Sequence, residues 1–544
     1  MPSGARLRFQ TSHVKFAVAF PALLYVVCNA LNIDKLARWF PHKGGVDYLA
    51  LSAYLLAGLG VFIVFFTLLA HRRTVKPLAI LLVIVSTAAT YFISKYDVAI
   101  DSSMVMNTLH TDSTEVRQLL SPQMLPYVAL LMVLPVLVIL TTEITFQPAR
   151  RYLVASSKLI AIALAVSVAL LYLNYNAIHL AGNVSKKYIV YSLVPINVLS
   201  GSISVASKSI APYVAREKRE VVITGRVRSN DSLLVVLAIG ESARKKNFSL
   251  YGYRRRNTNP VLQQLDDLHL LNGIARRGST LYALPEILEK ADVKLPRIVS
   301  QLGIPTSCYV NYTLYDNCAA VGETPVSNCA HGGKCYDEDV IPLLEESLRT
   351  YVSGKRFVLL HLGGGSHGPD YGGRIPPEFH LLKPTCDDAD VANQCTLEQI
   401  YNSYDNTILY TDYVLGEILQ RLESSGVPYV FIYLSDHGES LMDDGRMFHG
   451  MPPGVTLPPE QAQIPLIVRA SVPIEIVKRS EYRQQEVFDT VLDLLSIETP
   501  ILDSKAGFIK RVSSTLGHAP PSAPSEAAPN DAAASSGNGG RAED

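Results

Sequence analysis

Five apolar runs in the first third of the chain decide what it can fold into, because each is long enough to cross a bilayer as a helix. A single run of this kind would also suit a buried core helix or a signal-peptide core, but five in succession favour a membrane domain. The sequence therefore predicts a five-helix transmembrane domain over residues 1–178. The predicted spans are 16–33, 48–70, 77–94, 124–142 and 159–175.

Basic residues set the orientation of these spans, since cytoplasmic loops of membrane proteins are enriched in lysine and arginine. They precede the first span and fill the second and fourth connections, which share one side of the membrane: Arg6, Arg8, Lys15, Arg72, Arg73, Lys76, Arg150, Arg151 and Lys158. Lys35, Arg38 and Lys43 in the first external loop weaken this contrast without reversing it. An odd number of spans then places everything after residue 176 outside the cytoplasm.

The cysteines agree with this placement. Cys28 lies in the first span, whereas six others lie in the soluble part: Cys308, Cys318, Cys329, Cys335, Cys386 and Cys395. An even set in an external region indicates three disulfides, and of the fifteen pairings closeness in sequence favours 308–318, 329–335 and 386–395. A metal cluster is the alternative, but no C-x-x-C pair supports it.

The remainder of the 544-residue chain has the pattern of an α/β domain. Short apolar runs at 233–239, 357–362, 429–434 and 464–468 predict buried parallel strands. Thr396, followed three residues later by Gln399, predicts a capping box at the start of a long helix. The balance of 49 basic and 49 acidic residues argues against nucleic acid as a partner.

These patterns divide the chain further. We expect the catalytic domain over residues 231–512. Residues 179–230 mix apolar and basic residues and predict an interfacial linker along the bilayer, with a plain flexible tether as the alternative. Residues 513–544 are rich in Ala, Pro, Ser and Gly and predict a disordered tail.

Three polar clusters follow predicted strands, at residues 240–242, 366–369 and 435–439. Ligands bind outside the carboxyl ends of the strands in an open α/β sheet, so the clusters converge on one edge. With a downstream histidine, the candidate site groups among them are two carboxylates, one hydroxyl and three imidazoles: Glu241, Ser242, His367, Asp436, His437 and His449.

Carboxylates and neutral imidazoles are suitable zinc ligands, and catalytic zinc sites leave one position for substrate. Ser242 has no histidine nearby in sequence to act as a base, but a bound metal would activate its hydroxyl by lowering the pKa. Each motif alone has a plainer interpretation. Ser242 would fit the N-cap position of a helix, Asp436-His437 would fit a turn, and His367 would fit an ordinary loop. Their order and strand placement together favour the metal site.

The long motifs identify a family resemblance. The chain resembles the membrane phosphoethanolamine transferases that modify lipid A and related glycans, within the alkaline-phosphatase and sulfatase superfamily. The shared features are the five spans, the external loop 101–115, Gly-Glu-Ser-Ala-Arg at 240–244, the segments 248–250 and 252–253, Ser-His-Gly-Pro at 366–369, Ser-Asp-His-Gly-Glu-Ser at 435–440 and His-Gly at 449–450. They cover nearly the whole chain apart from the tail. The resemblance implies an N-terminal five-helix transmembrane domain followed by a C-terminal α/β alkaline-phosphatase/sulfatase-like domain.

The resemblance also implies site residues. It assigns one catalytic zinc ion to Glu241, Ser242, Asp436 and His437, with Ser242 as the nucleophile. His367 and His449 would contact the phosphoethanolamine group or a second zinc. Asn107 and Glu115 match polar residues of the membrane-proximal loop and would approach the donor head group, with ordinary loop polarity as the alternative.

The sequence departs from the family pattern in two places. The family nucleophile is usually threonine, whereas the corresponding position here is assigned to Ser242. No cysteines bracket residues 277–285, where the family often has a threonine-rich segment, so a phosphate-contacting role is not expected for Thr280. Residues 242–244 also lack the proline of the sulfatase motif, which argues against sulfatase activity.

The function implied is transfer of phosphoethanolamine from phosphatidylethanolamine to lipid A or another surface glycan, through a covalent phospho-serine. The enzyme would be a monomer among membrane lipids, a multi-pass protein of the bacterial inner membrane with its catalytic domain in the periplasm. Masking of anionic charge on the acceptor would increase tolerance of cationic peptides such as polymyxin. The alternatives are a phosphoglycerol transferase or phosphodiesterase of the same superfamily, and an inactive membrane scaffold.

Overall fold

The chain is described by a computed structural model over residues 9–42, 44–110, 122–185, 188–214, 224–327, 329, 334–388, 390–451 and 455–512. The N-terminal helices are α1 (His13–Ala30), α2 (Tyr48–Leu69), α3 (Val75–Tyr96), α4 (Ser102–His110), α5 (Met124–Thr141), α6 (Ala149–Leu173), α7 (Tyr175–Val184) and α8 (Ile196–Val214). Five of them, α1, α2, α3, α5 and α6, are long and apolar enough to cross a membrane, which confirms the predicted number. Helix α6 begins at Ala149 rather than near residue 159, because arginine and lysine are good helix formers and continue the helix past the apolar run.

The membrane helices differ in how much of each is covered by protein. Half of the apolar window of α3 is buried, but only 6% of that of α5. Helices α2 and α6 approach most closely at Gly60, where an added Cβ would lie 2.1 Å from Ser167 Oγ. Ser167 in turn donates to the carbonyl of Ala57 at 3.0 Å. Small residues therefore permit the tight packing of these two spans.

Helices α4 and α8 follow a different arrangement. They pack against each other at Gly201, where an added Cβ would lie 2.9 Å from the Asp101 carbonyl oxygen. Part of the predicted linker is thus helical and packs on the segment that connects α3 to α5. Glu115 and the predicted tail, residues 513–544, lie outside the described residues.

The C-terminal part is an eight-stranded sheet covered by helices, as the α/β pattern predicts. Its strands are β1 (Leu233–Gly240), β2 (His269–Ile274), β3 (Thr306–Val310), β4 (Glu323–Pro325), β5 (Lys355–His361), β6 (Tyr429–Ser435), β9 (Gln463–Ala470) and β10 (Tyr482–Arg483), with a separate hairpin of β7 (Ser440–Asp443) and β8 (Arg446–Phe448). The order across the sheet is β4-β3-β5-β1-β6-β9-β2-β10. The main helices are α9 (Thr280–Leu288), α10 (Leu295–Gln301), α11 (Ile341–Arg349), α12 (Leu397–Ser424) and α13 (Glu486–Leu494).

One strand direction was predicted wrongly. Strand β9 is antiparallel to both of its neighbours, β6 and β2, whereas the sequence predicted it to be parallel. A parallel return needs a long crossover, usually a helix. The described residues between Ser435 and Gln463 contain only the β7–β8 hairpin and a four-residue helix, so the chain re-enters the sheet from the same edge.

The core lies on both faces of the sheet, because β1 is buried along all eight residues. Its alternate side chains enter two apolar clusters, one with α9, α10 and α13 and the other with α11 and α12. The capping box of Thr396 and Gln399 begins α12 as predicted. All three predicted disulfides are present: Cys308–Cys318, Cys329–Cys335 and Cys386–Cys395.

Candidate metal and phosphoryl-transfer site

The predicted site residues meet where β1 and β6 end. These strands are parallel neighbours, with Gly240 paired to Ser435, so Glu241 and Asp436 leave the sheet side by side. Strand β5 lies on the other side of β1, and the loop after it carries His367. The structure thus brings the three polar clusters to one sheet edge.

Glu241, Asp436 and His437 form a compact set of potential metal ligands. His437 Nε2 lies 3.3 Å from Asp436 Oδ2 and 3.6 Å from Glu241 Oε1. Ligands held about 2.0–2.2 Å from a tetrahedral zinc ion stand about 3.3–3.6 Å from one another. These separations therefore suit one zinc ion.

The hydrogen bonds around the set leave the ligand atoms available. Asp436 Oδ1 accepts from the backbone N–H groups of Ser242 (3.0 Å) and His437 (2.7 Å). His437 Nδ1 lies 3.0 Å from the carbonyl of Gly438 and donates to it, which leaves Nε2 with its lone pair. Among the described residues, Asp436 Oδ2 and His437 Nε2 are buried with no hydrogen-bond partner. Buried polar atoms are rarely left so, and a cation between them would satisfy both.

The charges around His437 also favour a bound cation. Burial by itself would lower the pKa of His437, but the carboxylates of Asp436 and Glu241 raise it above its ordinary value. Each of these three side chains is at most 2% exposed. The site is therefore an enclosed concentration of negative charge that favours a bound cation.

A glycine allows the loop after β5 to reach this set. Gly364 has φ of +58°, and an added Cβ would lie 2.5 Å from Glu241 Cβ and 2.6 Å from its carbonyl oxygen. Only glycine adopts this conformation and leaves this space at little cost. The backbone N–H of Gly364 donates to Asp337, which anchors the loop.

Two hydroxyls contact Glu241, and only one was predicted. Ser242 Oγ donates to Glu241 Oε1 at 2.7 Å, and Thr280 Oγ1 donates to Oε2 at 2.7 Å. Thr280 is the first residue of α9 and is 7% exposed, whereas Ser242 is fully enclosed. The sequence analysis considered Thr280 but did not expect it to contact phosphate, because no cysteines bracket its segment. The signal that would have found it is threonine at a helix start in the segment where the family is threonine-rich.

The left-handed backbone of Ser242 has a local explanation. Its φ of +57° directs its N–H to Asp436 and its carbonyl to the Tyr404 hydroxyl, which donates at 2.8 Å. The backbone of Ser242 therefore helps to orient a metal ligand.

A second group of potential ligands adjoins the first. Glu241, His367 and His449 also bring one ligand atom each within 4.8 Å of one another. The His449 ring centroid lies 4.8 Å from that of His367 and 4.4 Å from that of His437. His449 Nδ1 lies 2.6 Å from Glu439 Oε2, which fixes the ring. Burial lowers the pKa of His449 to about 3, so the imidazole is neutral and can bind a metal or donate to substrate.

Two further residues near these histidines are notable. Burial raises the pKa of the Glu439 carboxyl to about 8. Arg374, which was not predicted, adds its positive charge to burial in lowering the pKa values of His367 and His449. Its buried Nε has no hydrogen-bond partner among the described residues. A buried guanidinium beside the site would attract a phosphate oxygen.

Asn107 reaches the edge of this site from the membrane domain. Its Nδ2 donates to Ser279 Oγ at 2.9 Å, directly before Thr280. Its predicted partner in donor recognition, Glu115, lies outside the described residues.

Two family models match separate parts of this chain. The family model "Phosphoethanolamine transferase EptA/EptB" matches residues 59–210, and the sulfatase model matches residues 278–497. The phosphoethanolamine transferase EptA of Helicobacter pylori is 32% identical over 445 residues, covering 76% of this chain and 80% of that protein. EptA of Escherichia coli K12 is 31% identical over 471 residues, covering 78% of this chain and 83% of that protein.

A solved structure shares the fold of the full chain. The integral membrane lipooligosaccharide phosphoethanolamine transferase A of Neisseria meningitidis superposes with a TM-score of 0.79 at 24% identity, covering 92% of this chain and 98% of that one. Five apolar helices followed by a sulfatase-like α/β domain are therefore the architecture of both chains. With the sequence relatives above, this shows that the chain belongs to the membrane phosphoethanolamine transferase family.

Proposed function

We propose that the enzyme transfers phosphoethanolamine from phosphatidylethanolamine to lipid A or another surface glycan, in a zinc-dependent reaction with a covalent intermediate. The observation that carries the proposal is the enclosed set of Glu241, Asp436 and His437 next to a hydroxyl at a helix start. Two ligand atoms of this set have no hydrogen-bond partner within the described part of the chain. The names of two relatives support the donor and the acceptor. They are the phosphatidylethanolamine transferase Mcr-1 of Escherichia coli, 26% identical, and the Kdo(2)-lipid A phosphoethanolamine 7''-transferase of Salmonella typhimurium, 25% identical.

Zinc would be held by Glu241, Asp436 and His437, whose carboxylates and neutral imidazole are the ligands that it prefers. When bound, it would lower the pKa of the attacking hydroxyl and stabilise charge on the phosphoryl oxygens. His367 and His449, with Glu241, would contact the phosphoethanolamine group or hold a second ion.

The structure supports Thr280 as the nucleophile over the Ser242 predicted from the sequence. Phosphorus must approach the attacking oxygen, and Ser242 is fully buried whereas Thr280 retains 7% exposure. Thr280 also begins the nine-residue helix α9, whose free N–H groups and dipole stabilise negative charge. A threonine nucleophile is, in addition, what the family resemblance implies.

In the first half-reaction, Thr280 Oγ1 attacks phosphorus and the bond from phosphorus to the diacylglycerol oxygen breaks. Glu241 Oε2, at 2.7 Å, is placed to take the hydroxyl proton, which passes to the departing diacylglycerol. In the second, an acceptor hydroxyl oxygen attacks the same phosphorus, the bond from phosphorus to Thr280 Oγ1 breaks, and the acceptor proton returns to Thr280 through Glu241. Arg374 would attract phosphoryl oxygens in both steps.

The membrane arrangement completes the proposal. We place the catalytic domain, residues 231–512, in the periplasm and the spans of residues 1–178 in the inner membrane of a bacterium. The site then faces the leaflet surface from which the donor and the acceptor would come. Residues 179–230 would connect the two domains along that surface.

The test is peptide mapping of the full chain trapped with phosphatidylethanolamine in detergent. We expect phosphoethanolamine on Thr280, loss of transfer in Thr280→Ala, and retention of the adduct in Ser242→Ala. An adduct on Ser242, or full turnover by Thr280→Ala, would refute the assignment of the nucleophile. A glycerol phosphate adduct on the acceptor would refute the assignment of the donor.

A further inference from the structure

Two active-site loops touch the membrane domain directly. One carries Ser279 next to Thr280, and the other carries Phe448 next to His449. Both meet the segment formed by the end of α3 and by α4, at Tyr96, Met104 and Asn107.

The first loop shows an unusual helix start. Ser279 is the N-cap residue of α9, yet its side chain makes no capping hydrogen bond. A serine at this position normally accepts from an N–H of the first turn. Its hydroxyl instead pairs with the Asn107 amide, accepting from Nδ2 at 2.9 Å and donating to Oδ1 at 3.3 Å. The membrane domain thus holds the residue that precedes Thr280.

The second loop shows an unusual backbone. Phe448 has φ of +67°, a conformation that is rare for a bulky side chain and persists only where the surroundings impose it. Its ring lies 5.4 Å from that of Tyr96, centroid to centroid. The same ring covers Gly368, where an added Cβ would lie 2.4 Å from Phe448 Cε1. Phe448 is therefore wedged between the end of α3 and the loop of His367, immediately before His449.

The residue after His449 makes a similar contact with the membrane domain. Gly450 has φ of +102°, and an added Cβ would lie 3.4 Å from Met104 Cε. Both neighbours of His449 therefore pack on the membrane domain, which adds a second observation independent of the Asn107–Ser279 pair.

We propose that the membrane domain is a positioning element of the active site: Asn107 sets Thr280 through Ser279, and Tyr96 sets His449 through Phe448. The inference rests on the proposed function, in which Thr280 attacks phosphorus and His449 serves the transferred group. Its consequence is that catalysis requires the docked arrangement of the two domains, since a displacement of about 1 Å at a reacting group costs on the order of 100-fold in rate.

The test measures diacylglycerol release by the full chain in detergent, with kcat and KM for phosphatidylethanolamine determined separately. Asn107→Ala and Ser279→Ala should each lower kcat on the order of 10- to 100-fold with KM little changed, and the double variant should be no worse than either single one. Ser279→Thr keeps the hydroxyl and should restore most of the rate. Thr108→Ala removes a hydroxyl that donates to the Met104 carbonyl within α4 and should leave kcat unchanged.

The aromatic contact has its own pair of variants. Tyr96→Ala should lower kcat by a similar factor, while Tyr96→Phe should retain it because the ring makes the contact. The zinc content per chain should stay constant in every variant. A lower kcat at constant zinc content would then come from displaced active-site residues and not from loss of the metal site or of the fold.

The outcomes distinguish the two proposals. A raised KM with unchanged kcat in Asn107→Ala would show that Asn107 only binds the donor head group, and would overturn positioning. Multiplying effects in the double variant, or a full rate in Ser279→Ala, would also overturn it. Turnover by Thr280→Ala in the same assay would instead overturn the proposed nucleophile.

Discussion

Gly364→Ala is the most direct test of how closely the loop after β5 must approach the metal ligands. Alanine in the left-handed region costs about 1–2 kcal/mol. The new methyl group would also lie 2.5 Å from Glu241 Cβ, about 0.9 Å short of the 3.4 Å at which ordinary contact begins. Glu241 and the Gly364 backbone must therefore separate by several tenths of an ångström or more.

That displacement exceeds what a metal site tolerates, because metal–ligand distances hold to within about 0.2 Å. We expect Gly364→Ala to lose zinc on dialysis against a buffered zinc concentration that keeps the parent enzyme loaded. Transfer at saturating zinc should fall on the order of 100-fold, as for a misplaced reacting group.

Gly363→Ala is the matched control. Its added methyl group meets the Asn311 amide at 3.1 Å, which requires a shift of about 0.3 Å rather than the 0.9 Å required at Gly364, and Gly363 has no positive φ. The assays are elemental analysis of zinc per chain and diacylglycerol release by the full chain. Zinc content and turnover in Gly364→Ala within about threefold of the Gly363→Ala values would refute the reasoning.

Three further results are expected. Chelation should abolish transfer and added zinc should restore it, so full turnover by rigorously metal-free enzyme would contradict the proposed chemistry. Glu439→Gln keeps the shape of the partner of His449 but replaces a carboxyl that can exchange its proton with the ring by an amide that cannot, and should lower turnover about 10- to 100-fold with zinc retained on Glu241, Asp436 and His437, as measured by rate and elemental analysis. Removing the Cys386–Cys395 disulfide by paired serine substitutions should cost about 2–3 kcal/mol, read as earlier thermal unfolding of the full chain in detergent, because the bond closes a loop with a sequence separation of 9.

Features with long or repeated signals could be predicted from the sequence. The five apolar runs depend on the thickness of the bilayer alone, and all five spans are present. The site edge was predictable because Glu241 and Asp436 directly follow apolar strands, and parallel strands end at the same edge. The disulfides were predictable because each joins cysteines close in sequence.

The features that were missed depend on contacts between distant segments. Thr280 reaches Glu241 only because α9 packs on the sheet with its N-terminus at the site, and no local pattern states that orientation. Arg374 approaches His449 by the folding of an irregular loop. The direction of β9 depends on the path of the chain from Ser435, which an apolar run does not encode.

The nearly uncovered surface of α5 has an evolutionary consequence. With only 6% of its apolar window buried against the described part of the chain, this span would present most of its side chains to acyl chains in a bilayer. Exchanges among leucine, isoleucine and valine there should accumulate freely between related sequences. Helix α3, half buried, should instead drift slowly and preserve residue size as well as polarity.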